Sequence, residues 1–232
     1  MRPFRVLLRP VIAWNYSSGV PTRLSAGTPS DAPHGAIEGR DPLSLLVVGG
    51  IAGAGIGVQT FEQALACQFA MALAQTTGRG VDWESLPTPN LKLAGVAACL
   101  RELNSLPSFD IVLVLPGVAD ALALASHSRW RAELQRLLAY LTTTSARTAK
   151  ILVGEVQDVA RHVQVRPIVR GVLEDHVQTL NADARSVCAE EKGVHLVRLP
   201  EAEASDYVGE VFSYSSLYRR WGRHLAEIVP QL

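Results

Sequence analysis

Hydrophobic positions change their rhythm near residue 43. Residues 15–43 are rich in Ser, Gly, Pro and Thr and sustain no period. From Leu43 onward, short continuous apolar runs alternate with longer stretches of helical period. The runs are Leu45–Val48, Val81–Glu84 (the weakest), Ile111–Leu115, Ile151–Val153 and Val194–Val197. Helical periods fall near 59–76, 91–105, 127–145, 169–192 and 214–229. In the third, Ser126 suits an N-cap, and Trp130, Leu134, Leu137, Leu138 and Leu141 form one stripe. Leu217, Trp221, Leu225 and Ile228 do the same in the last. Buried strands alternating with amphipathic helices predict a three-layer α/β/α fold around a mostly parallel, five-stranded sheet. The expected organisation is an N-terminal arm, 1–43, followed by one α/β domain, 44–232.

Composition changes this picture little. Apolar residues make up 48% and charged residues 19% of the 232, as in an ordinary core-forming chain. Lys+Arg and Asp+Glu both number 22, so no overall basic field points to nucleic acid. Cys67, Cys99 and Cys188 lie far apart on helical patterns and read as reduced core thiols. Near the N-terminus, Arg9 and Pro10 interrupt the apolar run before the roughly 7–15 residues of a signal-peptide core are complete. No later run approaches the ~20 apolar residues of a membrane span. The expected location is cytoplasmic, with a peripheral anchor through Phe4, Leu7, Leu8, Ile12 and Trp14 as the alternative.

In a parallel sheet, ligands meet the carboxyl ends of the strands. Those ends are Gly49–Ile51, Pro116–Asp120, Gly154–Asp158 and the loop 198–212. The first is glycine-dense, but Gly50, Gly53, Gly55 and Gly57 are out of phase with a dinucleotide fingerprint, and no phosphate-binding Gly-Lys-Ser/Thr occurs. No cofactor is expected. The six histidines show no metal-ligand spacing, and only His162 falls near the active end, so no metal is expected either. Ser213, Ser215 and Ser216 read as caps of the last helix. Arg219, Arg220 and Arg223 read as its solvated face. Asp120, Glu155, Asp158 and the acidic run Glu201, Glu203, Asp206 and Glu210 are the groups available for acid–base work. Asp120 reads most simply as a structural tie for the loop after the third strand.

The segment Leu46-Val47-Val48-Gly49-Gly50-Ile51, leading through small residues into a helix, resembles the first block of the SGNH (GDSL-type) hydrolases. In that family the strand ends in Gly-Asp-Ser. Leu113 to Asp120 is similar to the strand ending in Gly-x-Asn-Asp, and Val81-Asp82-Trp83 to the second strand of bacterial members. Phe212 to Trp221 keeps the spacing at which Asp-x-x-His is followed by Tyr and Trp, here Tyr218 and Trp221. The resemblance covers nearly the whole chain and implies a flavodoxin-like fold. It would also imply serine-dependent ester hydrolysis with an oxyanion hole. Residue by residue, the roles are lost. The family's Asp and Ser fall on Gly50 and Ile51, the oxyanion glycine near Asn90, and the oxyanion asparagine on Ala119. The orienting aspartate falls on Gly209 and the histidine on Phe212.

Loss at four separate segments with intact flanks reads as a degenerate hydrolase. Ile51 and Phe212 either collapse together and close the cleft, or line an apolar pocket or partner surface. Gly49, Asp120, Glu155 and His162 are the expected cleft-lining neighbours. The implied partners are an apolar or acyl-type small molecule, or a protein such as an active relative. The alternative is an enzyme with displaced chemistry at the same cleft.

Overall fold

The apolar run at Leu45–Val48 is the buried half of a longer strand, β2 (Arg40–Val48), whose first residues are exposed. A computed structural model describes residues 27–87, 92–103, 109–145, 148–157, 167–209 and 211–231. After the edge strand β1 (His34–Ile37) and β2 come α1 (Gly50–Gly53), α2 (Leu65–Thr77), β3 (Arg79–Leu86) and α3 (Leu93–Glu102). They are followed by β4 (Ile111–Val114), α4 (Val118–Leu122), α5 (His127–Thr144), β5 (Lys150–Gly154), α6 (Pro167–Glu190) and β6 (Val194–Val197). A small hairpin, β7 (Tyr207–Val208) and β8 (Val211–Phe212), precedes the last helix, α7 (Tyr214–Ile228).

The sheet has six strands in the order β1-β3-β2-β4-β5-β6, where five were expected. The extra one is β1, from the segment read as arm, paired antiparallel with β3. It carries no apolar run because it lies at the sheet edge and is half exposed. Its Gly35 lets the indole of Trp83 lie against the backbone, where an added Cβ would be 2.9 Å from the ring. The other five strands are parallel. The weakest expected strand is a full eight-residue β3 with alternating burial. The helix expected from residue 59 starts only at Leu65, after a 3-10 turn at Phe61–Gln63. That turn is fixed by Asp31, whose carboxylate accepts the Phe61 N–H at 2.9 Å.

Helices α2 and α7 cover one face of the sheet, and α3, α5 and α6 the other, giving three layers with a core on each face and a small further cluster at Leu124, Val169 and Leu173. The Trp130–Leu141 stripe of α5 is buried as its period requires. Cys67 and Cys188 are buried free thiols, each pushed up to about 11 by desolvation, so both stay protonated at neutral pH. Among the described residues, no helix is long and apolar enough to cross a membrane.

Candidate functional site

The strand order locates the crevice. From β2 the chain steps to β3 on one side and then returns to β4 on the other, so the carboxyl ends of β2 and β4 form the switch point where α/β sheets bind ligands. Gly49 ends β2 with φ 96°, and a Cβ there would sit 2.7 Å from the Leu115 carbonyl. Gly50 follows in the left-handed region, φ 62°, which glycine adopts without strain. Leu115 donates its N–H to the Val48 carbonyl at 2.8 Å, so the carboxyl ends of β2 and β4 are tied together. Ile51 stands half-buried in α1, and Ala119 half-buried in α4. Gly117 (φ 95°) opens α4, where a Cβ would strike Val156 at 2.4 Å.

The last block closes on the first. Gly57 lies directly under the ring of Tyr214, and the Tyr218 hydroxyl donates to the Ile56 carbonyl at 2.7 Å. Phe212 is half-buried and packs edge-on against Tyr214, centroids 4.9 Å apart, and against Tyr207 at 5.3 Å. Trp221 donates its indole N–H to the Pro200 carbonyl at 2.7 Å. The aromatic pair at the end of the family spacing thus has structural work: Tyr218 ties α7 to the turn after α1, and Trp221 ties it to the loop after β6. Gly209 forms the exposed turn of the β7–β8 hairpin with φ 64°. Asn90, Asp158, His162 and Glu210 lie outside the described residues.

Among the described residues, Asp120, Glu155, Glu201 and Asp206 have structural partners. Asp120 is buried, and its Oδ2 accepts the Leu93 N–H at 2.9 Å, satisfying a free donor at the start of α3. It therefore ties α4 to a neighbouring helix, not merely its own loop. Burial pushes its carboxyl above the ordinary 3.8, against the opposing pull of the Leu93 N–H and Lys92. The folded state then holds this proton more tightly than the unfolded one, so Asp120 takes stability away as pH rises above 3.8. Glu155 pairs with Arg185 at 2.9 Å. Glu201 pairs with Arg198 at 3.2 Å. Asp206, 1% exposed, is held by Arg220 and closes a capping box with Glu203. Arg220 is therefore not part of a solvated face, although Arg219 and Arg223 are exposed.

Sequence reasoning missed Tyr214 and the Asp206–Arg220 pair, since neither contact has a local signal. Ser213 caps α7, accepting the Ser216 N–H at 3.3 Å, as its position before the helix predicted. Its hydroxyl lies 3.1 Å from that of Ser215. Among the described residues no group of three or more His, Cys, Asp or Glu is placed to hold a metal ion.

No protein-family model and no curated protein sequence matches the chain. Solved structures do. TesA is similar with a TM-score of 0.60 at 17% identity, covering 82% of this chain and 99% of TesA. A member of the lipolytic protein G-D-S-L family from Veillonella parvula DSM 2008 is similar with a TM-score of 0.59 at 13% identity, over 82% of this chain and 100% of that one. Est24, a carbohydrate acetylesterase from Sinorhizobium meliloti, is similar with a TM-score of 0.58 at 15% identity, over 82% and 99% of the two chains. At these identities the likeness speaks for architecture, and it agrees with the strand order and block contacts above. This chain has the SGNH/GDSL-type hydrolase fold.

Proposed function

We propose that this protein is a catalytically degenerate SGNH-fold binding protein, whose remodelled cleft receives an apolar group in place of a scissile ester. The apolar group belongs to an acyl-type small molecule or to the surface of a protein such as an active relative. One observation carries the reading: the switch-point position that ends Gly-Asp-Ser in the hydrolases is Gly50-Ile51, with isoleucine where a nucleophile must stand. An aliphatic side chain cannot attack a carbonyl, and loss of a triad member typically costs several orders of magnitude in rate. The position of the histidine is taken by Phe212, whose ring is packed among Tyr207 and Tyr214. Ile51 and Phe212 are both only half-buried, which favours a lined pocket over a sealed relic. The commitment of Asp120, Glu155, Glu201 and Asp206 to structural partners weighs against the displaced-chemistry alternative.

Thermal unfolding of Ile51→Ser, with a fluorescent fatty-acyl probe titrated against both proteins, tests the reading. Wild type is expected to bind the probe, and Ile51→Ser to keep its melting temperature while losing binding. If instead the free variant is destabilised by about 1–4 kcal/mol, as for a filled core position, and wild type does not bind, the cleft is closed and the binding reading fails.

A further inference from the structure

The described chain begins at Gly27, and its first residues are pinned to the turn that follows α1. The Gly27 carbonyl accepts the Gly57 N–H at 3.1 Å, and Pro29 lies against Gly55. Asp31 holds the end of the same turn through the Phe61 N–H. Residue 26 is therefore joined to the domain here, and this turn is also a rim of the cleft. The Ile51 carbonyl accepts the Ile56 N–H at 3.1 Å, which folds the turn back onto α1. On its other side Gly57 lies against the Tyr214 ring, and the centroid of that ring is 4.9 Å from Phe212. A single ring thus stands between the root of the N-terminal segment and Phe212. The hairpin that carries Phe212 is apolar and open. With Met71, its Tyr207, Val208 and Val211 are the exposed large apolar side chains among the described residues. Adjoining apolar exposure of this kind marks a surface that takes a partner.

We infer that residues 4–14 of the same chain seat across this cleft, against Ile51, Phe212 and the hairpin, and compete there with any outside ligand. The inference rests on the apolar-cleft reading above and names the occupant of that site in the free protein. Eight of the eleven residues from Phe4 to Trp14 are apolar (Phe4, Val6, Leu7, Leu8, Val11, Ile12, Ala13, Trp14), and none is acidic. Such a segment gains by leaving water for an apolar surface. The connection is long enough. Twelve residues, 15–26, join Trp14 to Gly27, and that length spans at most about 40 Å. A tether this short also holds the segment at an effective concentration on the order of millimolar. A second copy offering the same segment at micromolar protein is outcompeted by that margin. Length, composition and point of attachment all favour the chain's own segment.

The test uses the full chain. With p-benzoylphenylalanine in place of Leu8, irradiation at micromolar protein should form cross-links within the chain to residues 51–57 or 207–214, mapped by mass spectrometry. In a second arm, Leu7→Asp combined with Leu8→Asp should bind the fluorescent fatty-acyl probe about tenfold more tightly than wild type. A cleft filled about nine-tenths of the time weakens an outside ligand by that factor. Cross-links found only between chains would overturn the inference and give the cleft to a second copy. Absence of cross-links to either region, with the protein sedimenting on anionic phospholipid vesicles, would overturn it in favour of a membrane surface. Equal probe affinity of the two proteins would also overturn it, while the acyl-binding reading stood. If the intrachain cross-links form and neither protein binds the probe, the segment is confirmed as the occupant and the acyl-ligand reading alone fails.

Discussion

Arg220→Met is expected to destabilise the protein by about 3–5 kcal/mol, the cost of leaving one member of a buried ion pair alone. Asp206 is 1% exposed and Arg220 only 17%, so solvent does little to screen them. The guanidinium meets both carboxylate oxygens, and its Nη2 also donates to the Glu201 carbonyl at 2.6 Å. Without it, Asp206 retains the Glu203 N–H at 2.9 Å as its remaining described donor. At about 2–4 °C per kcal/mol for a chain of this size, the melting temperature should fall by roughly 6–20 °C. Adding Asp206→Asn to the variant removes the stranded charge and should recover a large part of the loss. Differential scanning calorimetry of the single and double variants decides the matter. A loss under about 1 kcal/mol for Arg220→Met would mean that the pair is as well hydrated as an ordinary surface bridge.

The second large effect is at Gly222, where α7 crosses α2. A Cβ there would lie 2.7 Å from the backbone carbon and oxygen of Gln68 and 2.8 Å from the Phe69 nitrogen. Backbone cannot swing aside as a side-chain end can, so the two helices must separate. Gly222→Val is expected to lose about 3 kcal/mol, at the upper end of overpacking costs. Gly171 supplies the control, because it lies on α6 with open space where its Cβ would be. Gly171→Ala should gain about 0.5–1 kcal/mol from helix propensity alone. Urea unfolding followed by circular dichroism should give midpoints shifted in opposite directions. A neutral Gly222→Val would show that the α2–α7 contact is looser than described.

Burial decides which elements of this fold are legible in the sequence. Five parallel strands and five long helices were readable because each is buried on a scale that imposes a period or a continuous apolar run. Strand β1 was not, since His34-Gly35-Ala36-Ile37 is set by pairing with β3 and by the Trp83 ring, not by its own apolarity. The β7–β8 hairpin has two residues per strand, too few for any period to register. Its tip leaves Val208 and Val211 each 71% exposed, which a reading that buries apolar residues does not anticipate. Helices α1 and α4 are single turns whose positions follow from glycines at positive φ before them. At the site, the order of blocks could be read, and the structure brings the first against the third and the last against the first. The partners of Asp120 and Arg220 could not be read, because both contacts join residues far apart in sequence through a chain path that no local pattern encodes.

On the proposed reading, Ile51 and Phe212 stand where nucleophile and base would act, and the fold binds without hydrolysing. A serine-reactive fluorophosphonate probe tests it most directly, since covalent stoichiometry is insensitive to trace esterases that corrupt turnover assays. Pure, folded protein incubated with excess probe and analysed by intact-mass spectrometry should remain unmodified. Labelling of a single serine to one equivalent would contradict the account and return this chain to the active hydrolases.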